Sequence, residues 1–120
     1  MEKEFIPYEQ ALALKELGFE EKCAACFLFN GNKLEWELKN LSSKNEYPHI
    51  VSAPLYQQAF RWFRETYNMW SNFYPNYWYI IRIPIDEKSA QEFSCKLGSY
   101  EEAELKCLKK LIEIVKQDAL

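Results

Sequence analysis

Glycine and histidine are scarce in this 120-residue chain, with three of the first and one of the second. Gly18, Gly31 and Gly98 stand apart, each at a turn or helix-end position, so no glycine-rich loop can cradle a phosphate. His49 is the only imidazole base, in the loop sequence Tyr47-Pro48-His49, and spacing ties no Ser, Cys or carboxylate to it. A nucleophile–histidine centre is therefore not encoded in recognisable form. No apolar run approaches the ~18 residues of a membrane span. The first ten residues, MEKEFIPYEQ, carry charges of both signs without an apolar stretch, so no signal peptide is expected. The expected setting is the cytoplasm, where four cysteines stay thiols. Positive charge is not in excess: 15 basic against 18 acidic residues give a net charge of −3. That balance counts against a dominant nucleic-acid role, and it is too mild for a nucleic-acid mimic.

What the chain has in quantity is aromatic surface, 17% of residues. Between Tyr56 and Tyr79, 11 of 24 residues are aromatic, more than half of all those in the chain. This stretch opens as a helix, with Ser52 as a cap and Pro54 in the first turn. Tyr56, Ala59, Phe60, Phe63 and Tyr67 recur at helical spacing on one face. Trp62 falls off that face, between Arg61 and Arg64. From 70 to 79 the aromatics continue but the helical period ends, which fits a loop feeding a strand.

The length predicts one compact domain, residues 1–120. A first helix spans Pro7 to Leu17, ended by Gly18 in the left-handed conformation with Phe19 folding back on Leu14 or nearby. Cys23 to Asn30 suits an interior strand, Asn30-Gly31-Asn32 a hairpin turn, and 33–39 a strand with one wet face. Residues 40–51 read as a surface loop. After the central helix, Tyr77 to Ile83 is a buried strand, Asp86 to Ser89 a turn, and Phe93, Cys95 and Leu97 mark a half-exposed strand. Ser99 and Glu102 form a capping box, each satisfying the other's free backbone N–H. The last helix carries Ala103, Cys107, Leu108, Leu111, Ile112 and Val115 in a stripe fit to lie across a sheet. The expected class is α+β, in the order α-β-β-α-β-β-α, with a mostly antiparallel sheet packed by helices.

The three helix starts share a form: Tyr8-Glu9-Gln10-Ala11, Tyr56-Gln57-Gln58-Ala59 and Tyr100-Glu101-Glu102-Ala103. One reading is a duplicated αββ unit. The other is that acidic or amide residues are common in first turns and Ala is common in helices. In either case Tyr and the Ala three residues on share a helix face, where a close helix–sheet contact would need the small Ala.

Cys23 and Cys26 make a CxxC, but Cys95, Cys107 and His49 supply no second ligand pair, so buried thiols are expected and no metal or cofactor. Redox chemistry would place the motif at a helix N-terminus, whereas here it precedes a strand. Glu35 and Glu37 share a strand face with Lys33 and Lys39 beside them, the pattern of a solvated edge rather than of paired catalytic carboxylates. No enzyme is expected. The candidate binding residues are Arg61, Trp62, Arg64, Trp70 and Tyr74, with Met69 and Phe73 nearby, because guanidinium groups among large rings serve protein interfaces and base stacking alike. The alternative places Trp62 beneath the 70–79 segment and leaves the arginines solvated.

The segments FIPYEQALALKELGF, SAPLYQQAFRWFRE and YEEAELKCLKKLIEIVK together resemble a family of small uncharacterised proteins of phages and prophages of anaerobic gut bacteria. The resemblance covers about 45 residues, all in the three helices. It implies a non-structural accessory protein inside an infected or lysogenic cell, and it implies no activity, cofactor or site residue. The partner expected is a host or phage protein. A homodimer is open, since strand pairs offer free edges and 33–39 is the candidate edge. The alternative is a nucleotide or single-stranded nucleic-acid module using the Arg/Trp/Tyr face, and no membrane is expected.

Overall fold

The computed structural model describes residues 4–28, 34–36 and 50–118. The chain divides into two compact units, Met1–Gln57 and Gln58–Leu120. The class is α+β with antiparallel sheets, and each of the two expected strand pairs gains a third strand.

In the first unit, helix α1 (Tyr8–Glu16) is followed by strands β1 (Ala25–Leu28), β2 (Leu34–Trp36) and β3 (Ile50–Ala53). Pro7 stands just outside α1 in extended backbone, and its carbonyl accepts the Ala11 N–H at 2.9 Å. The helix ends as its sequence dictates. Gly18 has φ +100°, its N–H reaches the Lys15 carbonyl, and the Phe19 N–H reaches the Leu14 carbonyl, each at 3.0 Å. Leu14 and Phe19 are both fully buried, as the apolar pair that accompanies this kind of cap requires.

The sheet order is β2-β1-β3, so β2 lies at an edge. β3 corrects two expectations: residues 50 and 51 belong to a strand rather than a surface loop, and Ser52 is a buried strand residue rather than a helix cap. The cause is pairing. Ile50 and Val51 are β-branched and set against Leu28 and Phe27 of β1, a long-range choice that overrides the polar residues just before them. Pro54 is not in a first helical turn either; its carbonyl accepts the Ile6 N–H at 3.0 Å. α1 packs on β3, and the Lys15 ammonium donates to the Ile50 carbonyl at 2.8 Å. The hairpin at 30–32, the segment 37–49 with His49, and Lys33 lie outside the described residues.

In the second unit, helix α2 (Tyr56–Tyr67, begun at the end of the first unit) leads into β4 (Trp70–Tyr74), β5 (Trp78–Pro84) and β6 (Ala90–Lys96), then α3 (Tyr100–Asp118). The order β4-β5-β6 is a simple meander. β4 replaces the loop expected from 70 onward. At the next hairpin the Asp86 carboxylate accepts the N–H groups of Lys88 at 2.8 Å and Ser89 at 2.9 Å, which closes the expected turn. α3 lies against β5 with Ala103, Cys107, Leu108, Leu111, Ile112 and Val115 all buried. Its start carries half of the expected capping box. The Glu102 N–H donates to Ser99 Oγ, but the Glu102 carboxylate accepts from Gly98 rather than from Ser99, both at 3.2 Å.

Tyr8, Tyr56 and Tyr100 are the first residues of the three helices, and Ala11, Ala59 and Ala103 are fully buried. The shared tetrapeptide therefore marks a helix start with a close contact one turn in. The two sheets have different strand orders, the first strand central in one and the second in the other, so no repeated αββ topology underlies it.

Candidate functional site

The register of the second sheet sorts its side chains into two faces. On the inner face, Phe73 pairs with Tyr79, Ser71 with Ile81, and Ile81 with Phe93. Phe73 meets Phe60 of α2 at a ring-centroid distance of 5.2 Å and Tyr100 of α3 at 5.8 Å, so this face is held between helices.

The outer face is built in three rows across the strands: Trp70–Arg82–Glu92, Asn72–Ile80–Ser94 and Tyr74–Trp78–Lys96. Trp70, Tyr74 and Trp78 are 45%, 49% and 41% exposed, and Tyr77 in the adjoining turn is 46% exposed. Together the three strand rings present roughly 300 Å² of exposed surface, the scale on which a single patch tends to be functional. Charges frame the rings. Arg82 pairs across strands with Glu92 at 3.5 Å, and the Arg64 guanidinium lies over the Trp70 ring at 5.3 Å from its centroid. Trp70 Nε1 also donates to Asn68 Oδ1 at 2.8 Å. Asn68 has φ 56°, the left-handed turn by which α2 stops and hands the chain to β4. Three cations, Arg64, Arg82 and Lys96, thus stand against one carboxylate, Glu92.

The residues grouped from sequence separate in space. Arg64, Trp70 and Tyr74 lie at or on this face. Trp62 does not: it is 7% exposed, with edge-on ring contacts to Phe63 at 5.1 Å and Tyr67 at 5.5 Å. Its burial follows from spacing, since Ala59, Trp62 and Phe63 fall at i, i+3 and i+4. Arg61 pairs along its own helix with Glu65 at 3.4 Å, both well exposed. Trp78 and Arg82 join the face without a sequence expectation behind them. The pairing register puts them there: the chain returns through Pro75, Asn76 and Tyr77, which sets Trp78 beside Tyr74 and Arg82 beside Trp70.

Cys23, Cys26 and Cys107 are buried thiols, and Cys95 is half-buried. Among the described residues no three His, Cys, Asp or Glu groups come together as metal ligands. Among the same residues, no helix is long and apolar enough to cross a membrane. No protein-family model, curated protein or solved structure matches the chain.

Proposed function

We propose that the protein works by binding rather than by catalysis, and that the outer face of β4, β5 and β6 receives a protein partner. The observation that carries this is the row of half-exposed Trp70, Tyr74 and Trp78 on one sheet face, in a unit that buries Tyr79 and Ile81 on the other. Tryptophan, tyrosine and arginine are the residues on which interface energy concentrates. Covering the rings gains on the order of 7 kcal/mol before costs, and association itself costs about 4–15 kcal/mol. The face therefore suits a partner that adds contacts of its own around the aromatic centre.

The setting we propose is that of an accessory protein of a phage or prophage acting in the bacterial cytoplasm on a host or phage protein. Its support is the three-segment resemblance. A homodimer through the β2 edge belongs to the same reading. A second reading, single-stranded nucleic acid or a nucleotide stacked on the rings, is favoured by Arg64, Arg82 and Lys96 around the same face.

The test is a tagged pull-down from host lysate, with and without nuclease, using the native chain beside Trp70→Ala and Trp78→Ala. A partner retained after nuclease and lost with either variant, at an affinity that varies little with salt, supports the protein reading. Recovery only without nuclease and a steep salt dependence transfer the face to nucleic acid. Capture unchanged in both variants removes the aromatic face from the function.

A further inference from the structure

A groove lies within the same unit, between the strands and α3. Its volume is about 320 Å³, with Lys106, Lys109, Lys110 and Glu113 on the helix side and Tyr79, Phe93, Ser94 and Cys95 on the strand side. The three lysines fall at i, i+3 and i+4 of α3, so their ammonium groups share one helix face and repel one another. Lys110 is held in place: its Nζ sits 4.9 Å from the Phe93 ring centroid and 3.6 Å from Glu113 Oε1. Glu113 is further engaged by Gln117 Nε2 at 3.3 Å. Among the described residues no ion pair involves Lys106 or Lys109.

Three ammonium groups against one carboxylate leave two positive charges at the groove. A phosphate monoester carries about −1.5 to −2 at neutral pH, which matches that surplus, whereas a single carboxylate does not. The volume is at the small end of ligand pockets, about 300–1,000 Å³, so the occupant is a small molecule rather than a polymer. The strand side adds a hydroxyl donor in Tyr79. Burial, with smaller contributions from Cys95, Cys107 and Glu113, pushes the Tyr79 phenol up to about 12, so it keeps its proton as a donor at neutral pH.

We propose that this groove binds a small phosphate monoester, its phosphoryl group held by Lys106, Lys109 and Lys110 of α3. The site is separate from the aromatic sheet face and stands whether or not that face binds protein.

Cys95 supplies the readout, because it lines the groove while the other three cysteines are buried. The native full chain is alkylated with iodoacetamide, a neutral reagent, in the presence of glycerol phosphate, inorganic phosphate, glycerol, or sodium chloride of matched ionic strength. The expected result is saturable protection of Cys95 by glycerol phosphate. The protection should reach about tenfold at a concentration about ten times the dissociation constant. Glycerol and chloride should give none. Equal protection by inorganic phosphate supports the anion site and makes free phosphate a sufficient occupant. The variant Lys106→Gln plus Lys109→Gln relieves repulsion on an exposed helix face, so it folds and should abolish the protection. Unaltered alkylation under glycerol phosphate, or protection equal in the double variant, overturns the proposal. Should Cys95 be inert in the free protein, amide chemical shifts replace it: saturable changes at residues 93–95 and 106–110 support the site, and their absence overturns it.

Discussion

The Arg64 guanidinium lies over one face of the Trp70 ring, 5.3 Å from its centroid, while Asn68 holds the ring's edge through a 2.8 Å hydrogen bond from Nε1. The last turn of α2 and the bend behind it thus fix the first residue of β4. A large ring restrained before binding loses less freedom when covered, which lowers the cost of association. The consequence for Asn68→Gly is specific. Glycine keeps the left-handed backbone at no steric penalty but removes the amide. Stability should stay within about 0.5 kcal/mol, while partner affinity falls part of the way toward that of Trp70→Ala. Chemical denaturation beside the binding titration checks both halves.

The two faces of the second sheet should separate stability from binding. Trp70→Ala and Trp78→Ala truncate half-exposed rings and should cost stability little, whereas Ile81→Ala on the inner face opens a cavity worth about 2–5 kcal/mol. Urea midpoints on the three variants read the difference. A Trp70→Ala loss as large as that of Ile81→Ala would make the outer face structural and withdraw it as a binding surface.

How much of this is legible in the sequence depends on whether a signal is local. The end of α1 is, because Gly18 and Phe19 alone write the cap. So is the buried stripe of α3, a pattern at helical spacing. β4 is hidden for a physical reason: it is aromatic on both faces, Phe73 inward and Trp70 and Tyr74 outward, so its period of two does not show as alternating hydropathy. β3 is hidden because its strand identity rests on pairing with β1, far back along the chain. The site is half legible. Composition finds Arg64, Trp70 and Tyr74, while the flanking arginines of Trp62 misplace it and Trp78 is absorbed into a buried strand.

Two left-handed positions give opposite predictions from one cause. Gly18 has φ +100°, and no atom stands within 4 Å of the point a Cβ would occupy, so Gly18→Ala meets backbone strain alone. It should destabilise by about 1–2 kcal/mol. Tyr77, at φ 63° in the β4–β5 turn, already bears that strain, and its carbonyl accepts the Leu97 N–H at 3.1 Å, a bond glycine retains. Tyr77→Gly should therefore stabilise by about 0.5–1 kcal/mol, the strain relieved less the entropy that glycine adds to the unfolded chain. Paired thermal and urea unfolding decides both signs, and a destabilised Tyr77→Gly would show that the exposed ring itself contributes packing.

The cap of α3 is a two-bond arrangement with separable halves. Ser99→Ala removes the acceptor of the Glu102 N–H and should cost about 0.5–2 kcal/mol. Glu102→Gln keeps an oxygen for the Gly98 N–H but loses the charge near the helix N-terminus, so it should cost less, about 0.3–1 kcal/mol, and less still in high salt. Denaturation at two ionic strengths distinguishes them: only the Glu102→Gln difference should shrink.

Alkaline pH should unfold the second unit through two buried acids. Burial pushes the Cys107 thiol from its ordinary 9.0 up to about 12, lowered somewhat by the Ser71 hydroxyl and raised by Glu104. Burial first, then Cys95, Cys107 and Glu113, raises the Tyr79 phenol from 10.0 to about 12. In both cases the fold holds a proton that the unfolded chain gives up at lower pH. Unfolding then releases protons, and high pH favours it. The stability carried by the neutral groups is complete below about pH 9 and is lost as pH rises through the window from 9 to 12. Each group contributes at most about 1.4 kcal/mol per pH unit inside its own window. Lys15, whose burial lowers its ammonium below the ordinary 10.5, acts in the opposite direction, so the absolute slope mixes signs. Comparison of native protein with Tyr79→Phe removes that ambiguity, because phenylalanine keeps the ring and has no proton to lose. The urea midpoint of Tyr79→Phe should fall less steeply between about pH 9 and 12 than that of the native chain. Parallel curves over that range would mean that the Tyr79 phenol ionises as readily in the fold as in the unfolded chain.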